Sequence, residues 1–187
     1  MRTSLEKDER RTRKIFLAVF YFCSFVMASI TLYALYVSLV EFLHTGNIII
    51  GQVLVDTEFP FPGVAKLVTY LMIVTVVGWY CVVRLGGGKA QEIPRWIRSI
   101  LQLVVLSIAI VALYEFVYNF IIWNSLITAD ALRGVFQFDK VNVKYPDPQT
   151  PWNLVFATKM SLSAFLISAH GFYTMTKQDR RDEERTL

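Results

Sequence analysis

Glu115, Lys159 and His170 each stand inside a run of apolar residues long enough to cross a lipid bilayer. An ionisable side chain in such a place is costly unless it is paired, neutralised or hydrated, so each calls for a partner or a role. Two chemistries follow from these residue types. An acid and a base at one depth form an ion pair that clamps two helices. Alternatively, an acid, a base and an imidazole at graded depths line a proton or ion pathway. Tryptophans favour the membrane–water boundary, so Trp123 and Trp152 serve as markers of one interface. Glu115 lies eight residues below the first and Lys159 seven below the second. At the rise of an α-helix both are about 10–12 Å deep. An ion pair between Glu115 and Lys159 is therefore expected, with Tyr118 and Asn119 as hydrogen-bonding neighbours on the Glu115 face. His170 lies about 16 Å farther along its helix than Lys159, too far for direct proton transfer. This spacing favours the structural clamp over the pathway.

Four apolar blocks must position these groups: Ile15–Leu43, Val64–Val83, Ile97–Ile127 and Trp152–Met175. Each reaches the roughly 20 residues that a helix needs to cross about 30 Å of hydrocarbon. Strands of a membrane barrel are about half that length, and 55% of the 187 residues are hydrophobic. The fold class expected is an all-α integral membrane protein, a bundle of four transmembrane helices over 15–43, 64–84, 97–127 and 152–175. Outer loops 44–63 and 128–151 connect them, with a short segment 1–14 before and a tail 177–187 after. Fourteen of the 19 Lys and Arg residues fall in the segment 1–14, in the link between the second and third spans together with the span ends that border it (Arg84 and Arg98), or in the tail. The other side holds Lys66, at the outer start of the second span, and Arg133, Lys140 and Lys144. The positive-inside rule places both termini in the cytoplasm of a multi-pass cell-membrane protein. The net charge of +4 is thus a matter of topology and anionic headgroups, with no nucleic-acid partner expected.

The fourth span carries two stripes. Ala157, Ser161, Ala164, Ser168 and Gly171 recur at spacings of four and three, a small-residue face that lets helices approach closely in lipid. On the other side lie Trp152, Lys159, Ser163, Leu166, His170 and Thr174. A helix with two such faces is expected to pack on both, against its own chain or against another subunit. In the first outer loop, Ile48–Ile50 and Val53–Val55 flank Gly51-Gln52, the pattern of a hairpin. Val135–Phe138 and the alternating Val141–Tyr145 suggest a second, so the two loops together are expected to form a small β cap.

Motifs for catalysis are not found. The chain has no HExxH, GxSxG or CxxC, and LGGGK (85–89) follows a helix and lacks P-loop spacing. Glu41 and His44 share a helix face, and Asp56 and Glu58 follow in the loop, but this is a weak metal set and no metal is expected. Cys23 and Cys81 lie within apolar blocks, where they serve as small core residues. No cofactor is called for, although the tyrosines leave room for a bound lipid or quinone. The expected role is a non-catalytic accessory subunit of a larger membrane complex, its partners the lipid bilayer and other membrane subunits met through the fourth span and the outer loops. The alternative is a small oligomeric transporter or channel with Glu115 and Lys159 along its path.

Overall fold

A computed structural model describes residues 2–62, 64–86, 93–134 and 152–184. The elements run α1 (Arg2–Thr45), α2 (Gln52–Asp56), β1 (Glu58–Phe59), β2 (Ala65–Lys66), α3 (Leu67–Gly86), α4 (Arg95–Leu132) and α5 (Leu154–Glu184). Four of the helices are long and apolar enough to cross a membrane, within Glu9–Thr45, Leu67–Gly86, Trp96–Leu132 and Leu154–Arg180. The chain is read as a multi-pass membrane protein on that basis. Three helices outrun the apolar blocks that announce them. Outside hydrocarbon the polar residues at their ends continue the backbone ladder, because charged residues with straight side chains are good helix formers.

The helices do not close into the expected four-membered bundle. α1 packs on α3, α3 on α5 and α5 on α4, so α3 and α5 are central and α1 and α4 are end members. The residue types explain the order. α5 has a small face and a polar face, and each needs a helix against it. α1 and α4 are apolar nearly all round, and their outer sides suit lipid, which is as apolar as leucine. Phe22, Phe25 and Leu32 of α1 and Leu103, Ile110 and Val111 of α4 are accordingly exposed. At the α1–α3 contact, a Cβ on Gly78 would lie 3.5 Å from that of Cys23. Both cysteines are buried and free.

The hairpin expected at Ile48–Val55 is not formed. Val53, Leu54 and Val55 are all buried, whereas a two-faced strand would turn Leu54 away from its neighbours. A single helical turn, α2, instead lays the run against Ile30, Val68, Leu71 and Val155. Gly51 reverses the chain ahead of it at φ +82°. The only regular sheet among the described residues pairs β1 with β2 antiparallel, Glu58 opposite Lys66 and Phe59 opposite Ala65, so opposite charges face across the ladder. Ile50 forms a parallel bridge with Trp152, which joins the two outer loops by a different route. The hairpin expected over Val135–Tyr145 lies outside the described residues.

Asn153 begins α5 and ties it to α2. Its Oδ1 accepts from the backbone N–H groups of Val155 (2.9 Å) and Phe156 (3.2 Å), an N-cap in which one side-chain oxygen serves two otherwise unpaired donors. Its Nδ2 donates to Gln52 Oε1 at 2.9 Å, and Gln52 Nε2 donates to Asp56 Oδ2 at 2.7 Å. Asn153 is fully buried. Asn153→Ala removes the cap and strands the Gln52 carbonyl. It is expected to cost about 2 kcal/mol, measured as a lower thermal midpoint of the purified protein in detergent, and Asn153→Asp should recover only part of it, because the cap is kept but the donor to Gln52 is lost.

Candidate functional site: a carboxylate in the α4–α5 groove

Depth along α4 and α5 is fixed by contacts at their far ends. A Cβ on Gly171 would touch Trp79 at 3.4 Å and Val105 at 3.6 Å, and Arg98 meets Asp179. Ten residues up each helix from Val105 and Gly171 stand Glu115 and Ser161, about 15 Å away and level with each other. Lys159 is two residues farther along, about 3 Å. By helix rise, Glu115 and Lys159 therefore stand within about 3 Å of one level along the two helices.

Their pairing is not observed. Lys159 Nζ donates to Thr69 Oγ1 of α3 at 2.6 Å, and Glu115 lines a groove with Met160, Ser161 and Ala164 of α5. The correction is one of azimuth. Successive helical residues turn by about 100°, so Lys159 and Ser161 point to nearly opposite sides of α5. Ser161 and Ala164 of the small stripe face the α4 side, Lys159 and His170 of the polar stripe face α3, and Gly171 lies where α3 and α4 both meet α5. Glu115, on α4, meets the small stripe and cannot reach an ammonium on the far side. The prediction that α5 packs on both faces holds, and it is what separates the pair.

The groove is open, with a volume of about 490 Å³, and its α4 wall is Ser107, Ile108, Val111, Ala112 and Glu115. Ser107 Oγ donates to its own helix at Leu103 O (2.9 Å), so the groove's polar groups are the Ser161 hydroxyl and the Glu115 carboxylate. Glu115 is exposed, and among the described residues it has neither an ion pair nor a hydrogen bond. The neighbours expected to serve it do not. Tyr118 is exposed and stacks on Tyr114, ring centroids 6.1 Å apart, and Asn119 is buried.

The other candidate residues are distributed along the α3 side of α5. Ser163 is buried, and its Oγ donates to Lys159 O at 3.0 Å. His170 lies with its ring 5.8 Å from Tyr80, whose hydroxyl accepts from Arg84 Nε at 3.0 Å. Ala157, Ser168 and Gly171 continue the small face, the last two buried. Glu41 and His44 are exposed at the end of α1, and Asp56 is engaged by Gln52. Among the described residues no three His, Cys, Asp or Glu side chains are placed to hold a metal.

One polar cluster was not anticipated. Arg98 Nη1 donates to Asp179 Oδ1 at 2.7 Å, and Gln102 Nε2 hydrogen-bonds to Asp179 Oδ2. Arg98 Nη2 reaches Ile93 O at 3.3 Å. This charge-assisted group fastens the start of α4 to the end of α5. The available signal was the placement of Arg98 and Gln102 four residues apart on one helix face.

No protein-family model matches the chain, and no match is found among curated proteins or solved structures.

Proposed function

We propose that the protein is a non-catalytic accessory subunit of a larger membrane complex, with both termini on the cytoplasmic side of the cell membrane. The observation that carries this reading is the exposed carboxylate of Glu115 in a groove of apolar and small residues, with no partner among the described residues. A charge at such a position costs about 2.5–3.5 kcal/mol on the insertion scale, and a neighbouring subunit that meets it would offset that cost. The exposed apolar flanks of α1 and α4 give further surface for subunits or lipid. The orientation rests on the basic residues gathered at the end of the helices where the termini lie.

The transporter reading loses support from the same geometry. Lys159 and His170 face α3 while Glu115 faces away from it, so the three line no common path. Extraction from native membranes in a mild detergent tests the proposal. The expected product is a heteromeric assembly holding this chain and at least one other membrane protein in fixed ratio. A symmetric assembly of this chain alone, giving an ion flux in liposomes that Glu115→Gln abolishes, would defeat it.

A further inference from the structure

We infer that the α4–α5 groove receives one transmembrane helix of another protein, and that this helix carries a lysine or arginine at the level of Glu115. The inference rests on the subunit reading and deepens it by naming the partner's chemistry. Shape and charge support it separately. Ser161 and Ala164 on one wall and Ser107 and Ala112 on the other leave a channel floored by short side chains, the surface on which helices approach closely in lipid. Glu115 supplies a single anionic point on that channel. α4 is an end member of the row, so neither α1 nor α3 packs over it.

The charge identifies the occupant. In a low-dielectric setting a carboxylate favours a cationic partner strongly over an apolar one. A second copy of this chain is a poor source of that cation. Away from the span ends its basic intramembrane groups are Lys159 and His170, and both are turned to α3, Lys159 held by Thr69 and His170 against Tyr80. To reach a neighbour's groove they would have to leave α3. A foreign helix with a flexible, aliphatic-stemmed lysine or arginine meets the need without rearrangement, its stem lying along Ile108 and Val111 and its head at the carboxylate.

The test uses the full chain in phosphatidylcholine vesicles with fluorescent Leu/Ala transmembrane peptides, and energy transfer as the readout. One peptide has a central lysine, a second has leucine there, and a third has the lysine moved by two helical turns. The central-lysine peptide is expected to associate about 3- to 10-fold more tightly than the other two, the range set by interhelical polar contacts in membranes. Glu115→Gln should remove that preference, and Ala164→Leu, which fills the channel, should weaken the peptide at least as much. Because Glu115 is exposed, Glu115→Gln should leave the thermal midpoint unchanged, which separates lost docking from lost fold. Equal binding of the lysine and leucine peptides overturns the inference. So does self-association of labelled copies that Ala164→Leu abolishes and the lysine peptide does not compete, since the groove then belongs to a second copy. A native heteromeric complex that survives Glu115→Gln and Ala164→Leu would leave the subunit reading standing and remove the groove from it.

Discussion

Asp179→Leu is expected to lower the stability of the folded protein by about 2–4 kcal/mol, seen as an earlier unfolding midpoint in a detergent titration. The reason is the position of Arg98, whose side chain is only 6% exposed at the start of α4. Its guanidinium gives Nη1 to Asp179 at 2.7 Å and Nη2 to Ile93 O at 3.3 Å. Deleting the carboxylate leaves a desolvated cation with weaker acceptors, and it removes the group that Gln102 donates to. The expected loss is set below the full penalty for breaking a buried pair because Asp179 is itself 31% exposed. Two further variants separate charge from shape. Asp179→Asn keeps an acceptor for Arg98 and should lose about half as much. The double change Arg98→Met with Asp179→Leu removes both charges together and should recover most of the loss, as apolar replacements of buried pairs do. Added salt should matter little, because ions screen buried pairs weakly. If Asp179→Leu unfolds at the wild-type midpoint, the cluster contributes nothing to holding α4 on α5.

Part of this architecture is visible in the bare sequence, and the physical reason is the bilayer. Length and apolarity alone mark the four spans, since any backbone crossing hydrocarbon must satisfy its own hydrogen bonds. The two stripes of α5 also reveal that it has helices on both sides, because small and polar residues are poorly suited to facing lipid. The rotation of α4 was harder to read. Around Glu115 its surface is mostly Leu, Val, Tyr and Phe, broken only by Ala112 and Asn119, and in a membrane such large apolar residues serve a lipid contact and a protein contact alike. Depth could be counted from Trp123 and Trp152, but azimuth could not, and azimuth decides that Lys159 meets Thr69 instead of Glu115. The stripes of α5 held the missing clue, for Lys159 and the small face were already on opposite sides. Arg98 and Asp179 were hidden for another reason: charges at span ends satisfy the topology rule equally well whether solvated or paired. α2 was misread because a glycine followed by β-branched residues signals a hairpin, while complete burial of Val53–Val55 favours a helical turn.

Gly51→Ala is expected to be the most damaging glycine-to-alanine change among the described residues, costing about 3 kcal/mol from two additive sources. Gly51 sits at φ +82°, where a Cβ carries a penalty of about 1–2 kcal/mol from its own backbone. That same Cβ would lie 2.1 Å from Cγ of Phe156, and overpacking of this kind typically adds about 1–3 kcal/mol. The ring has little freedom to yield. It stacks on Trp152, centroids 6.1 Å apart, and its inner side packs on the cluster around Leu54, Val55 and Val155. If the loop moves instead, it carries with it the bond from Asn153 N to Ile50 O and the one from Asn153 Nδ2 to Gln52. Either response loosens α2 from the first turn of α5. A double-mutant cycle with Phe156→Gly distinguishes the two sources, because it removes both the ring and the Cβ that would lie 2.5 Å away, and so removes the collision and leaves the backbone strain. In the Phe156→Gly background the further cost of Gly51→Ala should fall to about 1–2 kcal/mol. An undiminished cost there would show that the collision is not what makes glycine necessary, and a wild-type midpoint for Gly51→Ala alone would show that neither source operates.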